Sequence, residues 1–297
     1  MEIGLGLPNT VRGTEASDLL GWAVEGERAG FSTIATLDRI VFDNYECLIT
    51  LAAAAAVTER IRLTTAIMIA PLRTNTALLA KQAATVDRIS RGRLVLGMAV
   101  GARPDDFTAS GASHAGRGAR FDDQIAQMRR IWAGERRGFA GAVGPSPTAR
   151  GGPELVLGGH SPRAIARAAA VGDGWISGGS GVGMFRAGAQ AVLAGRREAG
   201  RPGRPRLLAL AYFALGDDAD QLANSYLRDY YGFAPPYAQA VVNNAAIGAE
   251  SVIGTIEAFH AAGCDELILA PCSADIEQVR LLGAVLADAS HGSRVPA

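Results

Sequence analysis

Eight short apolar runs, each followed by a stretch of helical period, constrain this chain more than any other feature. The runs occupy 3–7, 33–37, 61–65, 94–96, 155–157, 174–176, 207–213 and 266–269. Between them, apolar positions recur every three or four residues over 15–29 (closed by Gly30), 47–58, 77–89, 121–132, 162–171 and 184–199. After the seventh run the chain reads as helical from Asp217, breaks at Pro235-Pro236 and resumes over 251–262; a last helix covers 275–287. Strict alternation of strand and helix requires parallel strands joined by right-handed crossovers. Eight such units in 297 residues match an α/β fold of the closed (β/α)8 TIM-barrel kind. The rival is a doubly wound open sheet, whose first loop carries a glycine fingerprint. Here that loop reads Pro8-Asn9-Thr10-Val11-Arg12-Gly13. The expectation is one barrel domain spanning 1–297.

Composition removes several classes. Basic and acidic side chains number 29 each, so the formal net charge is zero. Wrapping nucleic acid needs a clustered cationic excess. Lys81 is the one lysine, which beside abundant Ala, Gly and Arg reads as the coding bias of a GC-rich genome. The most apolar stretch, 51–57, is too short to cross a bilayer. Met1-Glu2-Ile3-Gly4-Leu5 runs directly into a strand pattern, which predicts no cleaved leader. Cys47, Cys264 and Cys272 are odd in number and scattered, predicting no disulfide framework and a reducing, cytoplasmic setting. His114, His160, His260 and His291 have no Cys or His at ligand spacing, so no protein-built metal site is expected.

In a barrel the chemistry sits at the C-terminal ends of the strands. That rule selects Asn9 after the first strand, Asp38 and Arg39 after the second, and Thr65, Ala66 and Ile67 ending the third. It adds 97–106 after the fourth, Gly158-Gly159-His160-Ser161 after the fifth and Ser177-Gly178-Gly179-Ser180-Gly181 after the sixth. The last two loops read as an anion site. Ser161 is a good N-cap and Pro162 fits the first helical position, while the glycines let backbone approach a ligand beside free helix N–H groups. The same residues also read as two tight turns and nothing more. The aperiodic stretch 134–153 is a surface loop or a lid over the mouth. The stretch 224–246, with five Tyr or Phe residues, is a second candidate for mouth or interface structure, and the tail 290–297 is expected to fray.

Further motifs follow one another in close order. They are Thr58-Glu59-Arg60-Ile61-Arg62-Leu63, Leu72-Arg73, Asp87-Arg88-Ile89-Ser90-Arg91-Gly92-Arg93-Leu94, Asp105-Asp106-Phe107 with Gly111, and Gly172-Asp173-Gly174-Trp175. Together they resemble the bacterial luciferase-like flavin oxidoreductase family, whose members use FMN or the deazaflavin F420. The likeness is good over 1–180 and loose beyond. It implies a TIM barrel that holds the cofactor ring in its mouth, backed by Thr65, Ala66 and Ile67, with a non-proline cis peptide that by position joins Ala66 and Ile67. It also implies a phosphate against Gly158, Gly159, His160 and Ser161, joined by Gly178 and Gly179, with Asn9 at the ring edge and Gly101 after the fourth strand. Asp38 looks like the family's strand-two acid, a catalytic candidate whose structural reading is an ion pair with Arg39 or Arg73. F420-dependent members often carry His directly after this acid; here Arg39 stands instead. His114 is the other catalytic candidate, or a surface residue. Arg103 is placed to meet a phosphate, an acidic substrate or solvent alone, while Asp87 and Arg93 read as scaffold.

The activity implied is a two-component monooxygenase that receives reduced FMN from a separate reductase and uses O2 on a small organic substrate. The alternatives are an F420-dependent hydride-transfer oxidoreductase and, from another class, a flavin-binding protein without catalysis. The resemblance also implies a homodimer, with 47–57 and the helix from Ala77 as candidate faces.

Overall fold

The structure, a computed structural model, describes residues 1–292. Eight parallel strands form the barrel: β1 (Glu2–Gly6), β2 (Thr33–Thr36), β3 (Arg62–Thr65), β4 (Leu94–Ala99), β5 (Glu154–Gly158), β6 (Gly174–Ser177), β7 (Arg206–Ala214) and β8 (Glu266–Pro271). Each pairs with its sequence neighbour, and β8 returns to β1 with Glu266 opposite Glu2 and Leu269 opposite Leu5. Closure leaves the barrel without an edge. The (β/α)8 expectation holds.

Strand alternation divides the core in two. Leu94, Leu96, Met98, Leu155, Leu157, Leu267 and Leu269 pack outward against the helices. Val95, Val156, Ile268 and, on β7, Leu208, Leu210 and Tyr212 belong to the inner cluster. Successive side chains of a strand point to opposite faces, so each strand serves both.

The longer helices are α1 (Ala16–Arg28), α2 (Cys47–Val57), α3 (Thr76–Ile89), α4 (Arg117–Trp132), α5 (Pro162–Val171), α6 (Gly181–Glu198), α7 (Ala219–Tyr230), α8 (Pro235–Asn243), α9 (Ala249–Ala261) and α10 (Glu277–Gly292), with a short one at Pro104–Ala109. The starts of α2, α3 and α5 carry side-chain caps: Glu46 accepts from the Ile49 amide, Asn75 from Leu78 and Ser161 from Ala164. Among the described residues no helix is long and apolar enough to cross a membrane.

The Asp87–Leu94 motif is scaffold, as its residue types implied. Arg91 and Gly92 take positive φ, 59° and 86°, to turn α3 into β4. Arg93 then donates to the carbonyls of Ala55, Thr58, Ile61 and Ser90. It thereby closes the C-terminal end of α2, whose last carbonyls have no helical partner. At the N-terminal end of the barrel, the fully buried Glu266 is held by Ser32, Arg206 and Arg62, an ionic plug the sequence reading missed.

Segment 134–153 is not a lid. It connects α4 to β5 and therefore lies at the N-terminal end of the strands, opposite the mouth. It forms a short antiparallel hairpin, Arg136–Gly138 with Gly141–Ala142. The Thr148 amide donates to Asp87 at 2.6 Å and Lys81 to the Gly144 carbonyl at 2.9 Å, tying the segment to α3. A helix-to-strand connection ends where a strand begins, so it cannot cover the strands' far ends. That place belongs to the strand-to-helix connection carrying α7 and α8. Helix α10 runs through Gly292, and residues 293–297 of the tail lie outside the described residues.

Candidate active site at the barrel mouth

The loops after β1, β2 and β3 form a polar frame on one side of the mouth. Thr65 donates its hydroxyl to the Gly97 carbonyl at 2.7 Å. A Cβ on Gly97 would stand 1.9 Å from the Thr65 carbonyl oxygen, so β3 and β4 approach here only because position 97 is glycine. The Ala66–Ile67 peptide is cis, at the position the resemblance implied. Ile67 reaches across to β5, where a Cβ on Gly158 would fall 2.4 Å from its Cδ1.

Asp38, at the end of β2, is buried and fully engaged. It accepts from the Ile69 amide at 2.8 Å and pairs with both Arg73 nitrogens at 2.6 and 3.0 Å. Of the two arginines weighed as its partner, Arg73 is the one. Arg73 also reaches Glu46 at 2.8 Å and the Cys47 sulfur at 3.6 Å. Burial disfavours its charge, but Asp38, Cys47 and Glu46 together outweigh that and raise the guanidinium above its ordinary value. The ligand-type atoms of Asp38, Glu46 and Cys47 lie within 4.8 Å of one another, and the cation among them is this guanidinium. Burial pushes the Cys47 thiol up. Asn9, also buried, clamps two loops together: its amide donates to the carbonyls of Leu37 and Tyr45, and its oxygen accepts from the Leu37 amide.

The loops after β5 and β6 face this frame. Gly159 sits at φ 119°, and its carbonyl accepts from the Trp175 indole at 3.0 Å. Ser161 caps α5, and Pro162 follows at the first helical position. His160 lies edge-on to Trp175, with Nε2 3.4 Å from the Ser177 hydroxyl. Burial holds its pKa below the ordinary 6.5. Gly179 abuts the Tyr212 ring, whereas a Cβ on Gly178 would meet only the Tyr237 hydroxyl, at 3.6 Å, among the described atoms. After β4, Gly101 takes φ 74° and its carbonyl accepts from Arg117 at 3.0 Å. Arg117 also lies beside His114 (3.4 Å), whose ring is edge-on to Phe107 and whose Nε2 is buried without a hydrogen-bond partner.

The roof is what residue-by-residue reading missed. Helices α7 and α8 lay an aromatic cluster over the mouth, continuous with the inner barrel core. Tyr226 shares a hydrogen bond with Thr10 at 2.7 Å, and Tyr231 with Tyr212 at 2.7 Å. Arg12 pairs with Asp229 at 2.7 Å, and Arg39 donates to the Tyr230 carbonyl at 3.1 Å. Burial raises the phenols of Tyr212, Tyr226, Tyr230 and Tyr231, keeping them protonated donors. The signal was the five aromatic residues in 224–246, which the sequence assigned to mouth or interface.

A barrel of this closure, with a non-proline cis bond ending β3 and a capped helix facing it after β5, narrows the family. The profile described as Luciferase-like monooxygenase matches residues 1–263. The chain belongs to that family. It is thus an enzyme of a superfamily that contains flavin- and F420-dependent oxidoreductases. One relative is an FMNH2-dependent dimethylsulfone monooxygenase of Pseudomonas putida, 27% identical over 228 residues, covering 71% of this chain and 61% of that protein. Among solved structures, a monooxygenase from Streptomyces bottropensis superposes with a TM-score of 0.77 at 23% identity, covering 97% of this chain and 98% of the other. An F420-dependent secondary alcohol dehydrogenase superposes with a TM-score of 0.78 at 18% identity, covering 96% and 97%. This luciferase-like barrel therefore shares its fold with both monooxygenases and dehydrogenases.

Proposed function

We propose that this luciferase-like enzyme is a two-component monooxygenase that takes reduced FMN from a separate reductase and acts on a small organic substrate. The observation that carries the reading is the state of the β2 terminus. The Asp38 carboxylate is engaged by Arg73 and the Ile69 amide, and the next residue is Arg39, a guanidinium that does not release its proton in proteins. Neither side chain offers a proton-transfer group there, which favours chemistry centred on the bound group over hydride transfer assisted by an acid or base. When bound and reduced, the flavin supplies activation of O2.

The residues fit such a group at its phosphate end. The N-terminus of α5, with the backbone of Gly158, Gly159, His160 and Ser161 and the open Gly178 and Gly179 turn opposite, is suited to an anion. In this proposal Thr65, Ala66 and Ile67 back the ring, Asn9 and Gly101 lie at its margin, and Asp38 is a positioning residue that fixes the Ile69 amide. His114 is the remaining catalytic candidate, because its Nε2 is buried without a partner. The aromatic roof excludes water from the mouth. A homodimer through α2 and α3 belongs to the same proposal, since Ile49 and Leu78 on those helices are 69% and 50% exposed.

The second reading, an F420-dependent dehydrogenase, is favoured by the F420-dependent dehydrogenase among the solved relatives. Titration of the purified protein with FMN, reduced FMN and F420, followed by absorbance and fluorescence, separates the two. Preference for reduced FMN with O2-dependent turnover is expected. Tight F420 binding with negligible binding of reduced FMN would overturn the proposal, as would flavin binding with no turnover under either regime.

A further inference from the structure

Two buried cations in the mouth have no part in the function proposed above. Arg39 and Arg103 are 8% and 9% exposed, and the Nε of each is buried without a hydrogen-bond partner. Arg39 has Asp105 at 3.3 Å, a half-exposed carboxylate. Arg103 has a side-chain hydrogen bond with Tyr230 and has one Asp106 oxygen at 4.0 Å, the other oxygen accepting from the amides of Ile40 and Val41. A guanidinium carries five donors in a planar fork, and holding one out of water with its donors partly unanswered is unfavourable.

Arg103 is covered by one short piece of chain, which Arg39 shares with Phe42. The Arg103 guanidinium lies 4.8 Å from the Tyr230 ring centre, 5.9 Å from Tyr231 and 4.5 Å from Phe233. Arg39 faces Phe42 at 4.8 Å, Tyr230 at 5.7 Å and Phe233 at 6.0 Å. Tyr231 and Phe233 lie on the link 231–234 between α7 and α8, and Tyr230 is the last residue of α7. Displacing that link would break the Tyr212–Tyr231 hydrogen bond and take Tyr231 and Phe233 off the guanidinium faces, leaving Phe42 and Tyr230 beside Arg39.

We propose that Arg39 and Arg103 form a carboxylate-recognition pair, so that the substrate is a small organic acid with an aromatic body. Calling the acid a substrate rests on the oxidoreductase reading; the recognition site itself does not. A carboxylate matches the guanidinium fork in a bidentate manner. An aromatic body takes the place that Tyr231 and Phe233 hold against the cationic faces.

The test is calorimetric titration of the full chain, without cofactor, with benzoate and with its neutral isostere benzamide. Benzoate is expected to bind tighter than benzamide by about tenfold or more. Arg103→Met and Arg39→Met each remove that preference, and Arg103→Lys, which keeps the charge, restores part of it. Circular dichroism identifies variants that have not folded, and either arginine variant suffices. Equal affinity for the two probes, no benzoate binding by the wild type, or a variant that melts at lower temperature yet keeps the preference would overturn the proposal. Parallel titrations with FMN and riboflavin cover the other anion source: if Arg103→Met weakens FMN alone, the arginines serve a cofactor phosphate and the substrate assignment falls. Failure of the wild type to bind any flavin would instead sink the proposed function and leave the benzoate result standing.

Discussion

Removal of Arg73 tests the frame beneath the mouth most directly. Its guanidinium is the counter-charge for Asp38, whose side chain is 1% exposed, and for Glu46, whose side chain is 37% exposed. In Arg73→Met, Glu46 can rehydrate but Asp38 cannot, so the loss falls on one buried pair. Deleting one partner of such a pair costs about 3–5 kcal/mol. The Ile69 amide still donates to Asp38, which places the expected loss near the lower bound, about 3 kcal/mol. Asp38→Asn keeps an oxygen for that amide and leaves Arg73 paired with Glu46, so it should cost about 1–2 kcal/mol. The two changes share one interaction, and the double variant should fall short of their sum by about 2 kcal/mol. Urea unfolding followed by far-UV circular dichroism, with midpoints compared at unchanged slope, measures all three. A loss under about 1 kcal/mol for Arg73→Met, or a coupling indistinguishable from zero, would refute the claim that this pair holds the end of β2 in place.

Three further outcomes follow from the same geometry. Gly159→Ala combines a φ of 119° with a Cβ 2.8 Å from that of Ala164; it should lose roughly 1–3 kcal/mol of stability and at least about tenfold in FMN affinity. Unchanged FMN titration would remove the phosphate from this loop. Burial holds His160 below 6.5, so the folded state favours the neutral ring; its contribution to stability is complete above the unfolded value and is lost as pH falls through the folded one. Proton NMR titration of the imidazole should give a value under 6.5, and a value at or above it contradicts the burial. Ile49→Glu with Leu78→Glu should convert a sedimenting dimer into a monomer without changing the far-UV spectrum; an unaltered sedimentation coefficient places the interface elsewhere.

Much of the fold was legible because its signal is local. Period-2 and period-3.6 patterns register which face of an element is apolar, and a strict alternation of the two leaves parallel closure as the favoured arrangement. The caps at Ser161 and Pro162 and the turn at Gly30 are likewise settled by neighbours a few residues away. The position of 134–153 was also derivable, since chain direction alone sends a helix-to-strand connection to the N-terminal end of the barrel. The lid reading weighed composition and overlooked that direction.

The sequence by itself determined the barrel, the list of loops at its mouth and the motif that marks the family. Only the tertiary structure decided which charged residues there are free. Asp38 is bonded to Arg73, 35 residues away, and Arg39 to Tyr230, 191 away. The burial of a charge depends on what the rest of the chain brings over it in space. Local periodicity carries no record of that, so the sequence left Arg103 open to a phosphate, an acidic substrate or solvent and Arg39 to an ion pair with Asp38, whereas α7 and α8 roof them both.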